Sequence, residues 1–440
     1  MFALAVPARE RASIATTGRR NTTVNTTTAQ PEGMTADGAT SEGGADPDGA
    51  TGEGGADPDG ATGEDAAAPD GPESDPAVTV VVVSYFSGDS LRDCLDSVVT
   101  QSGIDARAVV VDNGAPEARA SGDLAADADS ETATICAEYE SVAYIESDAN
   151  DGFGAGINRG FEAAETDHLA ALNPDATFDE GALRRLVDAL GGDDTGATAG
   201  AAFAAPKIVL ADDPDRISTV GLHNHVTGIS FNQAADLPSD TPVWSAGCDL
   251  GGLSGCAFAT TASAWRRVGG FDEEMFLYKD DVDLSWACQL LGERIRYVPD
   301  AVVAHDYERD LDGFKFEHIE RNRLLVLAKY LPASAAVLLL PSLVLTELLT
   351  WAMAATLGVE GLLAKLRSYG VLGSGDARNI RWRGARFREH FPEKIGELDA
   401  TVPWADLRRN GVVPDSPVVE GVGAVVNLVY RANVALYRKS

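Results

Sequence analysis

An α/β fold built on a mostly parallel sheet is what this sequence predicts, and three observations predict it. Residues 78–85 (VTVVVVSY), 107–113 (RAVVVDN) and 168–173 (HLAALN) are continuous apolar runs of strand length, as expected of strands buried on both faces. Stretches with helical spacing separate such runs, which is the βαβ alternation that puts helices on both faces of a parallel sheet. The runs end in polar residues: Ser84, then Asp112 and Asn113, then Asn173, Pro174 and Asp175. Ligands of open parallel sheets bind at the carboxyl ends of the strands, so these positions are the ones to inspect.

Taken in order, the strand at 78–85 is followed by a helix over 90–101, with Leu91, Leu95 and Val98 on one face. The run at 107–113 is the second strand and VAYIES (142–147) the third. A helix is expected from about 154 to 165, then the strand at 168–173, a helix over 179–190 and a strand over 201–210. Residues 211–244 read as loop-rich. A short helix around Trp265, a helix over 283–291 with Leu284, Ala287 and Leu291 inward, and a strand over 294–305 close the α/β part. Residues 331–359 are apolar apart from Glu347 and are interrupted by Pro341, and the rest to Ser440 looks helical. Three regions follow: an acidic low-complexity tail at 1–76, an α/β domain at 77–330, and a C-terminal helical region at 331–440.

Residues 1–76 have almost no large apolar side chains, and GGADPDGATGE occurs twice in tandem, at 43–53 and 54–64. Such a segment cannot bury enough surface to offset its ordering entropy, so disorder is expected. It opens without an apolar core of signal-peptide length, so no secretion signal is read. The chain carries 35 basic and 68 acidic residues, a formal charge of -33. That balance argues against nucleic-acid binding, which needs clustered Lys and Arg. With the charge of the tail set aside, the body remains strongly acidic, which points to a salt-rich cytoplasm where self-repulsion is screened. Five cysteines without a CxxC pattern fit reduced thiols.

Several residues invite chemistry. Asp112 is placed to accept hydrogen bonds from a base or ribose, and Asp175 to ligate a hard cation on diphosphate oxygens. Each also has the role of turn or cap residue open to it. The run Gly152 to Gly160 does not have GxGxxG spacing and follows the third strand, so it is no dinucleotide fingerprint. A glycine-rich entry to a helix still lets a phosphate approach helical N–H groups, and Arg159 adds a charge-assisted contact. Asp280, Asp281 and Asp283 sit at a helix start, where they serve either as caps or as a general base with a neighbour-raised pKa. His305 ends a strand at the ligand edge.

In order, VTVVVVSYFSGDSLRDCLDSV, VVVDNG, NDGFGAGINRG, LNPDATF, GGFDEEMFLYKDDVDLSW and YVPDAVVAH resemble the motifs of family 2 glycosyltransferases, most closely the rhamnosyltransferase-like branch. The likeness runs from about 78 to about 331. It implies the GT-A fold, a Rossmann-like nucleotide-diphospho-sugar transferase architecture. It implies an inverting transfer of sugar from a nucleotide-sugar donor to a hydroxyl of a glycan or lipid-linked saccharide. By the same resemblance, Ser84, Asp112 and Asn113 lie against the nucleotide, and Asn150, Gly152, Asn158 and Arg159 line its diphosphate side. Asp175 binds Mg²⁺ or Mn²⁺ in the variable DxD element and His305 assists. Asp281 is the catalytic base with Asp280 in the adjoining Glu place, and Arg321 and Arg323 sit near the leaving diphosphate. Lys279 and Phe86 depart from the family pattern, which leaves the donor's identity open. Two other readings share the fold: a non-catalytic sugar-nucleotide-binding or assembly subunit, and a polyprenyl-phosphate sugar synthase.

The apolar segment 331–359 is long enough to span a bilayer, but Glu347 and Pro341 favour a pair of interfacial or re-entrant helices, with a buried hairpin as the alternative. Arg378, Arg381, Arg383, Arg386 and Arg388, interleaved with Trp382 and Phe387, suit an anionic membrane surface. The expected location is the cytoplasm, on the cytoplasmic face of the cell membrane.

Overall fold

The computed structural model describes residues 75–440 apart from 126–127, 192–199, 308–309, 410–411 and 440. The reading of 1–76 as a disordered tail therefore lies almost wholly outside the described residues. The first element is β1 (Ala77–Ser84), followed by α1 (Ser90–Val99), β2 (Asp105–Asp112), α2 (Ala115–Ser121), α3 (Glu131–Cys136), β3 (Val142–Glu146) and α4 (Phe153–Ala163). Then come β4 (His168–Leu172), β5 (Ala176–Phe178), α5 (Ala182–Asp188), β6 (Phe203–Leu210) and three short strands, β7 (Ile217–Thr219), β8 (Leu222–Asn224) and β9 (Ser230–Asn232). The α/β part ends with β10 (Ala257–Thr261), α6 (Ala262–Val268), α7 (Asp280–Leu291) and β11 (Ile295–His305).

The main sheet runs in the order β3-β2-β1-β4-β10-β6-β11-β5, with β7 on β6. Six of its strands share one direction, because β1 pairs parallel with β2 and β4, β2 with β3, and β6 with β11, while β10 is antiparallel to both β4 and β6. The sheet is thus more mixed than the sequence pattern implies: β10, β5 and β7 run against the other six. The β-branched runs account for the centre. Val78, Val80, Val81, Val82 and Val83 are fully buried, as are Val110 and Val111. The carboxyl ends of the six co-directed strands lie along one edge, and Ser84, Asp112, Asn173 and His305 stand at or just after them.

Helix α4 explains the glycine-rich run. A Cβ at Gly156 would lie 2.7 Å from a Val83 methyl, and one at Gly160 only 2.3 Å from a Val81 methyl. Gly156 and Gly160 thus let the helix lie directly on β1, and their work is helix–sheet packing.

The C-terminal region is helical: α8 (Gly313–Tyr330), α9 (Ala333–Leu338), α10 (Leu340–Thr356), α11 (Gly358–Ser368), α12 (Gly375–Arg383), α13 (Ala385–His390), α14 (Trp404–Arg409) and α15 (Pro417–Tyr437). Pro341 does not break a helix; it occupies the first turn of α10, where its missing N–H costs nothing. Among the described residues no helix is long and apolar enough to cross a membrane. Glu347 turns inward as part of a buried charge cluster. Its carboxylate meets Arg323 and lies 3.0 Å from Lys365, and Tyr369 donates to it at 2.5 Å.

Candidate active site

The site has two halves along the strand-end edge. In the first, Asn113 is the hub. Its Nδ2 donates to Gly152 O at 3.0 Å, and its Oδ1 accepts from Ser147 Oγ at 2.7 Å. Arg159 Nη1 in turn donates to Ser147 Oγ at 2.5 Å, and its other amine to Asp151 at 3.3 Å. Asn150 Oδ1 accepts from Gly152 N at 3.1 Å. Ser84, fully buried, bonds Ser87 and Thr132 at 3.1 and 3.0 Å. The structure thus brings Ser84, Asn113, Asn150, Gly152 and Arg159 together, with Ser147 as a member the sequence reading missed.

Two residues expected here have their polar atoms engaged by the protein. Asp112 accepts from Gly114 N and Ala115 N at 2.9 and 3.0 Å, and from Ser130 Oγ and Tyr144 OH at 2.7 and 3.1 Å. Both its oxygens are occupied, so its present role is to fix the turn after β2. Asn158 faces the loop before α7: its amide donates to Phe271 O at 2.9 Å and accepts from Phe271 N at 3.1 Å.

The second half is built on the Asn173–Asp175 turn, the end of β11 and the start of α7. His305 Nε2 lies 3.2 Å from Asp175 Oδ1 and 3.4 Å from Asn173 Nδ2. Burial disfavours the imidazolium, but the Cys256 and Asp175 side chains outweigh it and hold the pKa up, to about 10. Asn173 Oδ1 and Asp175 Oδ1 are buried and lack a hydrogen-bond partner, although the latter faces His305 without hydrogen-bond alignment. Buried oxygens left open in this way are costly unless something occupies them. Among the described residues no three His, Cys, Asp or Glu side chains converge as a metal cluster. The donor set fits a hard cation that takes its remaining ligands from a substrate.

This half is stitched to α7 through the segment before β10. Asn173 N donates to Cys256 O at 2.8 Å, and the neighbouring Gly255 N donates to Asp281 Oδ2 at 3.4 Å. Asp281 Oδ1 also accepts from Val282 N at 2.8 Å, so two backbone donors orient this carboxylate. Asp280 differs: both its oxygens are buried and unpartnered. Burial and then the adjacent Asp281 charge push it up to about 8. Asp283 is consumed structurally, held by Lys329 Nζ at 2.6 Å.

The loop entering α7 is strained. Phe276, Tyr278 and Lys279 all have left-handed backbone, with φ of 61°, 66° and 64°. Asn322, fully buried on α8, holds it by donating to Met275 O, Leu277 O and Tyr278 O at 2.7, 2.9 and 2.6 Å. The same loop joins the two halves, because Phe276 O accepts from Phe153 N at 2.9 Å and covers Gly152, where a Cβ would sit 2.0 Å from that oxygen. Neither Asn322 nor Lys279 was legible as a site residue. Lys279 is buried and donates to Gly228 O at 3.2 Å and Ser230 Oγ at 2.9 Å.

Arg321 and Arg323 are corrected. Arg323 is fully buried, pairs with Glu320 at 3.0 Å and with Glu347, and donates to Thr227 O at 3.4 Å. It neutralises the interior cluster and does not face the strand-end edge. Arg321 spans to Glu274 O at 2.9 Å and Asp376 at 2.8 Å, tying α8 to α12. The arginine stretch is likewise mostly engaged in docking the helices: Arg383 holds Asp272 at 3.1 Å through Nε, Arg386 donates to Val268 O at 2.6 Å, and Arg388 donates to Lys329 O.

Asp280 yields a pH prediction. Its folded pKa lies above the ordinary 3.8, so its contribution to stability is fully present below that value and is lost as pH rises through about 8. Asp280→Asn is therefore expected to melt at the parent's temperature in acid and several degrees above it in alkali, roughly 2–4 °C for each kcal/mol recovered. Melts across this range check it; an offset independent of pH would remove burial of the Asp280 charge as its cause.

The comparisons with known proteins come to the same region. The family model described as Glycosyl transferase family 2 matches residues 79–217. A pre-mycofactocin glycosyltransferase of Mycobacterium tuberculosis is 33% identical over 161 residues, 36% of this chain and 31% of that protein. An N-acetylglucosaminyl-diphospho-decaprenol L-rhamnosyltransferase of the same species is 27% identical over 249 residues, 51% of this chain and 75% of the relative. The chain's match thus spans about a third of the length of the first of these relatives. Among solved structures, S. aureus TarS 1-349 in complex with UDP is 15% identical with a TM-score of 0.43, covering 82% of this chain and 91% of that one. A Pyrobaculum calidifontis mannosyltransferase in complex with GDP-Man and Mn2+ is 14% identical with a TM-score of 0.40, covering 82% and 87%. Likeness at that level leaves donor and acceptor unassigned.

Proposed function

We propose that this chain, whose residues 79–217 match the Glycosyl transferase family 2 model, is a transferase of that family's rhamnosyltransferase-like branch with the GT-A fold, and that it moves a sugar from a nucleotide-sugar donor to a hydroxyl of a glycan or lipid-linked saccharide. The observation that carries the proposal is the joining of a cation-ready turn to an oriented carboxylate. Asp175 and His305 lie 3.2 Å apart, and the Gly255–Cys256 backbone bonds both Asp281 and Asn173.

In this reading, Ser84, Asn113, Asn150, Gly152 and Arg159 line the nucleotide-diphosphate side, with Arg159 the cation nearest the phosphates. Asp175 would hold Mg²⁺ or Mn²⁺, with His305 joining only once it has given up its proton, and the cation when bound would neutralise charge on the diphosphate. Asp281 accepts the proton of the acceptor hydroxyl as that oxygen attacks the anomeric carbon. The nucleoside diphosphate departs from the opposite face, so one displacement inverts the anomeric configuration. Asp280, neutral in its burial, leaves the negative charge on Asp281. The protein's acidity suits a salt-rich cytoplasm, and the lipid-linked acceptor places the work at the cytoplasmic face of the membrane.

The test is release of nucleoside diphosphate from a panel of UDP-, GDP- and dTDP-sugars in high-salt buffer. Slow, metal-dependent release from one donor is expected; release from none, by folded protein supplied with lipid-linked and soluble saccharide acceptors, would refute transfer.

A further inference from the structure

Helices α10 and α15 carry apolar residues on their outward sides as well as inward. An ordinary surface helix turns its apolar stripe to the core and its polar side to water. On α10 the buried residues include Ser342 and Thr346, while Leu340, Val344 and Leu348, four residues apart, are 56%, 50% and 63% exposed. On α15 the inward side carries Tyr430 and Asn433 beside Val426 and Val434, while Val422, Val425 and Leu428 are 50%, 61% and 66% exposed.

The polar groups are paired between the helices. Asn433 Oδ1 accepts from Ser342 Oγ and Ser342 N at 2.6 and 3.1 Å, and Asn433 Nδ2 donates to Leu338 O at 2.8 Å. Thr346 Oγ1 and Tyr430 OH share a hydrogen bond of 2.8 Å. Polar contacts between helices and apolar side chains outward is the arrangement that suits lipid, where polar groups must find partners within the protein. In water so large an apolar face would be a liability.

We propose that the outer faces of α10 and α15 form a lipid-contact surface that lies in one leaflet of an anionic bilayer. Charge favours that occupant over a second copy of the chain. Residues 331–440 hold 13 basic and 10 acidic residues, a net +3 in a chain of -33. Arg431, Arg438 and Lys439 are exposed on or just after α15, against Glu420 alone on that helix, and this basic end turns toward an anionic surface, while two copies would bring two strongly acidic bodies together. Arg431 is exposed on α15 beside this face, where its stem suits the apolar layer and its head the phosphates. The surface is coupled to the candidate site. Thr346 Oγ1 donates to Thr227 at 2.9 Å, and the next residue, Gly228, accepts from Lys279 beside Asp280. Resting on the transferase reading, the surface would hold the chain against the layer in which a lipid-linked acceptor lies.

Flotation of the full chain with vesicles tests the surface independently of activity. The chain is expected to float with vesicles containing phosphatidylglycerol and less with phosphatidylcholine alone. The triple variant Val344→Ser, Leu348→Ser, Val425→Ser should reduce the bound fraction at least ~10-fold, with an unchanged melting temperature because all three positions are exposed. Equal flotation of the variant, or no flotation of the parent, would overturn the proposal. So would a parental dimer that the variant converts to a monomer without either binding vesicles.

Discussion

Asp281→Asn is expected to cut turnover by roughly 10²–10⁴-fold, the usual contribution of a positioned general base, while donor affinity stays within about twofold of the parent. The substitution is nearly isosteric. Its amide oxygen can still accept from Val282 N, now at 2.8 Å, and only the longer bond from Gly255 N at 3.4 Å is lost. What disappears is an oxygen able to take a proton from the acceptor. Steady-state turnover alongside calorimetric donor binding separates the two effects. Undiminished turnover would remove Asp281 as the base, and Asp280 would not inherit the role easily, because burial, the larger cause of its raised pKa, is unchanged in the variant.

Asp175→Ala is expected to weaken metal-dependent donor binding by at least ~10-fold, the lower end of what even an outer partner of a metal site costs. The remaining affinity should be the same with metal and with chelator. Asp175 Oδ1 is buried and faces His305 at 3.2 Å, so the variant also leaves His305 without its counter-charge and a melt alongside separates that cost from the metal effect. An Asp175→Ala protein that retained a full metal effect would move the cation to other ligands.

The sequence made the strands and their ends legible because burial on both faces writes itself as uninterrupted β-branched residues, as in Val78 to Val83. It did not make β10 legible as an antiparallel strand inserted between β4 and β6, since direction is set by connections and leaves no local mark. The glycines of α4 read as a phosphate loop because a helix pressed onto a strand and a loop pressed onto a phosphate ask the same thing of a residue, that it lack a side chain. Asp281 and Asp175 were found through the motif resemblance, and the fold sets them on adjoining segments. Arg323 was misplaced because an arginine that neutralises Glu320 and Glu347 in the interior has the same letter as one that meets a phosphate. Asn322 was missed for the complementary reason: its task, holding three carbonyls of a strained loop, depends on contacts about 45 residues away in sequence. Glu347 seemed a fault in an apolar segment until the structure supplied its partners.

The central claim is that a nucleotide-sugar binds across the two halves of the strand-end edge, with a cation between diphosphate and protein. Calorimetric titration of UDP, GDP and dTDP into the folded chain in high salt, with Mn²⁺ and then with chelator, tests it most directly. The account predicts that one of these nucleotides binds, and that chelator weakens it. A folded chain that binds none of the three under either condition would contradict it and favour a non-catalytic assembly subunit on the same fold.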